Sequence, residues 1–292
     1  MGPQLARQIR AAMRHLNPNQ VRAAAERPLN VGLFAVSSEA MAAMEDFLAP
    51  PNISRRRRWE LMRVLHRAGD PGAPKHFDLE IYEEGLPCPQ GALVFHRRQP
   101  ERTVHEILQQ RQDLALALAR HFHPFRKPVA ERIIQTISRE NAAFALLTAV
   151  PDLMPSFVQI PWAVGEFASD TAFLTMNQVR MAFLLAAASD REVGYREQRM
   201  EIASIVAGAF GWRALARELV GKIPFGGGLI PKAAIAYAGT YTVGQGLERF
   251  YRLGYRLTRE ERRAIYEQAL EHGRRLADYL LEGTRIREAS QL

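Results

Sequence analysis

The spacing of apolar positions changes once along the chain, near residue 128. Before that point short alternating runs are interleaved with helical ones. Leu5, Ile9, Met13 and Leu16 recur at helical spacing with Arg7, Arg10 and Arg14 between them, and Asn17-Pro18-Asn19 ends the pattern. The apolar run Val31–Phe34 predicts a strand over about 30–36, and Ser37-Ser38 can cap a helix over about 38–48 that stops at Pro50-Pro51. In ISRRRRWELMRVLHRAGDPG, Trp59, Met62 and Leu65 fit one helical face, while Arg55, Arg56, Arg57 and Arg58 crowd the helix start against its dipole. HFDLEIYEE alternates and predicts a second strand, and ALVFH a short third one. PERTVHEILQQRQDLALALARHF predicts a helix with Thr103 as N-cap and Glu106 at capping-box spacing. The order β-α-α-β-β-α is that of a small α/β unit, its sheet covered by helices.

Past residue 128 no strand pattern recurs. Helices are expected at about 128–150, 162–187, 195–209, 211–221, 231–253 and 258–282, with Pro151, Pro155 and Pro161 re-aiming the chain between the first two. Thr258 and Glu261 form a second capping box. The fold class read from this pattern is α+β and mostly α: a small N-terminal α/β unit with about three short strands, then an all-α domain. The boundaries expected are 1–27 for a basic amphipathic helix, 28–127 for the α/β domain, 128–283 for the helical domain and 284–292 for a flexible tail.

Charge changes this picture only locally. The net charge of +8 is concentrated early, with 11 Arg against 6 acids in residues 1–70, whereas residues 142–250 balance 9 basic with 9 acidic groups. A basic surplus can favour an anionic membrane or nucleic acid, but its usual effect is solubility. Cys88 is the only cysteine, so no intrachain disulfide forms, which suits a reducing compartment. The N-terminus lacks the apolar core of a secretion signal, and Ala6 departs from the myristoylation pattern. The longest charge-free run, Ala233 to Leu247, is 15 residues, short of the roughly 18–20 a span requires.

The strand-turn-helix NVGLFAVSSEAM stands where a phosphate-binding loop stands in P-loop proteins. That loop requires G-x-x-x-x-G-K-[ST]. Residues 32–41 lack its second glycine and its lysine, and Glu39 puts negative charge at the helix start. The guanine-reading Asn-Lys-x-Asp motif and the Asp-x-x-Gly motif are absent as well. GKIPFGGGLIPK (221–232), flanked by Lys222 and Lys232, could hold an anion at a helix start, but a tight interhelical turn explains it better. His121 and His123 point to different sides of a helix, HEILQ lacks the second His of a zinc motif, and Cys88 has no local base. Glu166 and Asp170, four residues apart in an apolar stretch, are read as a polar seam or cap. No catalytic, cofactor or metal residue follows from these motifs, and the reading leans away from an enzyme.

ENAAFALLTAVPDLMPS, TAFLTMNQVRMAFLLAAA and IPFGGGLIPKAAIAYAGTYTVGQGLERFY occur in that order, and residues from about 128 to 253 resemble the YcjF-like, GTPase-associated helical domain family of bacteria. Asn177, Gln178 and Met181 match its Asn-Gln-x-x-Met helix; Pro224, Gly228, Pro231, Ala236, Tyr237, Thr240, Gly244 and Tyr251 match its terminal hairpin. The resemblance implies an all-helical domain, often behind a GTPase domain and sometimes in membrane proteins, with no catalytic residue to carry over. Residues 28–123 then read as a degenerate GTPase-like remnant. Ala236, Thr240 and Gly244 also form a small-x-x-x-small series that permits close helix approach in water or lipid. The expected function is a non-enzymatic scaffold or adaptor with a protein partner, cytoplasmic or at the inner membrane face. Its alternatives are a peripheral or hairpin-inserted membrane protein docking Arg55–Arg58 on anionic lipid, and an atypical nucleotide binder. No cofactor is expected, nucleic acid is disfavoured as a partner, and self-association is left open.

Overall fold

The computed structural model describes residues 3–148, 170–208 and 229–289. The expected helix 211–221, the prolines at 151, 155 and 161, Glu166, Lys222, Pro224 and Gly228 lie outside the described residues. The chain is mostly α with one small sheet, and divides into two compact units. A sheet unit holds residues 20–130 and 187–191. A helical unit holds the described residues of 1–19, 131–186 and 192–292.

In the sheet unit, α2 (Pro18–Ala25) leads to β1 (Val31–Phe34), α3 (Ser38–Leu48), α4 (Arg55–Met62), β2 (Leu65–Arg67), β3 (Leu79–Glu83), β4 (Leu93–Phe95), α5 (Pro100–Gln110) and, past a single 3₁₀ turn, α6 (Ala115–His121). The four strands are all parallel in the order β2-β1-β3-β4. Val31, Gly32 and Leu33 are buried in succession, as befits a parallel strand covered on both faces. Gly32, the first glycine of the would-be phosphate loop, lies inside β1. A Cβ there would come within 2.8 Å of the Phe77 ring, so its small size serves packing.

Three expectations are corrected here. Leu65 does not extend the α4 face: it starts β2, fixed by the Val31 amide donating to the Val64 carbonyl and the Ala68 amide to the Leu33 carbonyl. Pairing to an existing strand overrides helix propensity, and three residues are too few for a period-two signal. Leu61 is the buried residue of α4, whereas Trp59 is 64% exposed. Thr103 is not an N-cap, because Pro100 already starts the helix. Its buried hydroxyl accepts from the His96 amide and donates to the Val94 carbonyl, tying α5 to β4. Glu106 instead pairs with Arg102 and His96.

The helical unit contains α1 (Pro3–Met13), most of α7 (His123–Leu147) and α8 (Asp170–Ala188), α9 (199–208), α10 (Leu229–Leu253) and α11 (Arg259–Ala289). The α11 backbone is helical past the 282 expected from sequence. Its start carries the expected capping box: Thr258 Oγ1 accepts from the Glu261 amide and Glu261 accepts from the Thr258 amide. The apolar face of α1 is in use, with Leu5, Ile9, Ala12 and Leu16 buried and the Tyr195 hydroxyl contacting the Met13 and Leu16 carbonyls. Phe144 and Phe173 stack at 3.8 Å between ring centroids. Ala233, Tyr237 and Ala238 of α10 pack on Ala269, Ala277 and Leu280 of α11. Among the described residues no helix is long and apolar enough to cross a membrane.

Candidate functional site

In an open parallel sheet, ligands bind beyond the carboxyl ends of the strands, where the strand order reverses. In the order β2-β1-β3-β4 that place lies between β1 and β3. β1 ends at Phe34, and Ala35 and Val36 lead to Ser37, the N-cap of α3, whose hydroxyl accepts from the Ala40 amide at 3.0 Å. β3 ends one step past the Phe34–Tyr82 pair, at Glu83.

The Glu83 carboxylate occupies this crevice. Its Oε2 accepts from the Val36 amide at 2.9 Å and the Ser37 amide at 3.4 Å, and its Oε1 takes the Ser37 hydroxyl at 3.2 Å. The Val36 amide above all, with the Ser37 amide and hydroxyl, holds the Glu83 carboxyl below the ordinary glutamate value against the opposing effect of desolvation. These are donors of the kind a phosphate would use, and an internal anion already has them. Glu39 adds a second carboxylate in the first turn of α3, paired with Arg97 at 2.8 Å. In the sequence Glu83 is legible only as the penultimate residue of the alternating stretch HFDLEIYEE.

The four arginines of α4 separate into different roles. Arg57 turns inward: its Nη2 lies 3.0 Å from Asp190 and donates to the Arg120 and His121 carbonyls at the end of α6. Arg126 reaches the same carboxylate at 3.5 Å and donates to the Ala119 and Arg120 carbonyls. Arg120 completes the group at 4.0 Å. Guanidiniums thus cap the negative end of α6 while one carboxylate holds them together. Arg58 pairs with Asp46, and Arg56 with Glu60 on a side chain that is 91% exposed. Arg55 has no ion pair among the described residues. Sequence reading singled out neither Asp190 nor Arg120 and Arg126.

In the helical unit the residues matched to the family resemblance converge. Asn177 and Gln178 on α8 and Thr240 on α10 are buried and meet through Asn141 on α7. Asn141 Nδ2 donates to Thr240 Oγ1 at 2.7 Å, Asn177 Nδ2 to Asn141 Oδ1 at 2.9 Å, and Gln178 Nε2 to Thr240 Oγ1 at 3.3 Å. The seam ends in the Glu140–Arg180 pair, whose carboxylate also accepts from Asn177. Met181 and Gly244 lie outside this network but in contact with each other: a Cβ on Gly244 would lie 2.8 Å from Ile134 and 3.0 Å from Met181 Sδ. Tyr237 packs on α11, with its ring 5.3 Å from His272. Pro231 falls in the first turn of α10. Asn141 sits in the apolar stretch NAAFALL, and a lone amide in such a run was the available signal for the seam.

Lys232 is not a free anion ligand, since it pairs with Asp170 at 2.6 Å and with Thr148. Among the described residues no cluster of His, Cys, Asp and Glu is placed to hold a metal ion. His121 is held below the ordinary imidazole value, by burial first and by Arg57 and Arg120 beside it. Compared with protein-family models, with curated proteins and with solved structures, the chain shows no match.

Proposed function

We propose that the chain is a non-enzymatic scaffold or adaptor, with a nucleotide-free, GTPase-like sheet unit and a helical unit that receives a protein partner. The resemblance to a helical domain family often fused behind a GTPase domain, and sometimes found in membrane proteins, supports the pairing of a GTPase-like unit with a helical one; the proposed setting is cytoplasmic or at the inner membrane face. The observation that carries the nucleotide-free part is Glu83: its carboxylate takes the loop donors a phosphate would need, and the loop sequence 32–41 has no lysine to offset the repulsion. Calorimetric titration of GTP and ATP, with magnesium, into the full-length chain should give no binding heat at high micromolar nucleotide. Saturable binding would overturn the reading and make the β1–α3 loop a working nucleotide site.

Glu83 also carries a pH signature. Its folded-state pKa lies below its unfolded value, so its contribution to stability is complete above the ordinary glutamate pKa of about 4.3 and is lost as pH falls from there through the folded value. Glu83→Gln should lower stability at neutral pH and flatten the decline below about pH 4.3. Urea melts of both proteins across that range measure this, and parallel pH curves would show that the loop does not depend on the charge.

A further inference from the structure

We infer that the outer face of α4 is a contact site for an anionic lipid bilayer surface, built from Arg55, Arg56, Trp59 and Arg63. The inference is independent of the nucleotide-free reading, because it uses neither the β1–α3 loop nor Glu83. These residues follow one another at helical spacing, and all four are exposed. Arg57 and Arg58 face other neighbours and are committed to Asp190 and Asp46, so they take no part.

Two features make the face unusual for a surface held only by its own fold. Trp59 is 64% exposed, and Arg63 stacks over its ring at 5.2 Å, fixing the largest side chain of the helix outward. Three guanidiniums surround it, against one carboxylate, Glu60, which Arg56 and Arg57 share. Neither Arg55 nor Arg63 has an ion pair among the described residues. An indole amid guanidiniums suits a bilayer interface, where the ring settles at headgroup depth while the cations reach lipid phosphates on either side. The charges span about 12 Å from Arg55 to Arg63, within reach of several headgroups at once. Binding of this size is weak, reversible and screened by salt.

The test is sedimentation of the full-length chain with vesicles of phosphatidylcholine alone or with about one-third phosphatidylserine, at low and physiological salt. Binding is expected only to the anionic vesicles and should weaken with salt. Arg55→Gln, Arg56→Gln and Trp59→Ala together should lower the partition coefficient more than about twentyfold, since each arginine contributes roughly fivefold and the indole adds to them. The melting temperature of that variant should stay close to the parent's, because none of the three side chains is buried. Arg10→Gln with Arg14→Gln, exposed on α1 and in the turn that follows it, should change partition less than twofold. The inference is overturned if anionic vesicles are not bound at low salt, if neutral vesicles bind equally, if the triple variant binds like the parent, or if the α1 variant accounts for the loss.

Discussion

Glu140→Ala is expected to lower the unfolding free energy by about 3 kcal/mol, the low end of the cost of breaking a buried ion pair. The Glu140 and Arg180 side chains are only 12% and 17% exposed, and Asn177 donates to the same carboxylate. Truncating Glu140 leaves a guanidinium inside the helical unit with its Nε already lacking a partner among the described residues. Its desolvation is then uncompensated, and this term exceeds the roughly 1 kcal/mol net value of a neutral hydrogen bond. Glu140→Leu with Arg180→Met should recover most of the loss, because an apolar pair carries no desolvation penalty. Urea unfolding of both variants gives the comparison. If the double variant is as unstable as Glu140→Ala, the pair does more than neutralise itself.

That contrast bears on what the seam is for. Asn141, Asn177, Gln178 and Thr240 interlock across three helices with donor and acceptor positions that fit only one register. An apolar seam would tolerate sliding, and a hydrogen-bonded polar one resists it, even with Asn177 Oδ1 left without a partner among the described residues. The proposed partner-receiving role would gain from this, because the outer surface of the helical unit then keeps a single shape.

The sequence made most helices legible because their apolar period is long and their ends are marked: α3 begins at the Ser37 cap, and α11 at the Thr258–Glu261 box. It hid features that depend on distant residues. β2 exists only because Val64–Arg67 meets the edge of β1. Thr103 looked like a cap because the local pattern cannot show that its hydroxyl is taken by β4. The site divides the same way. The missing lysine was visible as a gap in a motif. That a glutamate from another strand fills the loop required the register of β1 on β3. The sequence matches include Asn177, Gln178 and Thr240, but what links Asn177 to Thr240 is Asn141, whose partners lie 33 residues or more away in sequence. The run Arg55–Arg58 read as one patch, and helical geometry parts it into Arg57, bound inside, and Arg55 and Arg56, turned out.

Asp190 should be the most informative residue of the sheet unit, because two separable costs meet there. Its φ of +59° is left-handed backbone, which costs roughly 1–2 kcal/mol for most residues but little for Asp, Asn or Gly. Its carboxylate faces Arg57, Arg126 and Arg120 at 3.0–4.0 Å with about a third of the side chain exposed. That places the charge term between surface and buried pairs, at about 1–2 kcal/mol. Asp190→Asn keeps the backbone and loses the charge, for about 1–2 kcal/mol; Asp190→Gly adds chain entropy, for about 1–3; Asp190→Ala adds left-handed strain, for about 2–4. Equal losses in the three would leave the charge term alone and show that the left-handed backbone at 190 carries no cost. His121 supplies a second, purely electrostatic readout. Burial, Arg57 and Arg120 hold its pKa down while Asp190 pulls it up. The unfolded chain therefore binds this proton first, and stability declines as pH falls through about 6.5. Removing the carboxylate must push His121 lower still in all three variants, extending that decline to lower pH. An NMR titration of the His121 ring reads the shift directly, and an unmoved His121 in Asp190→Asn would show that the carboxylate does not govern the charge balance at the end of α6.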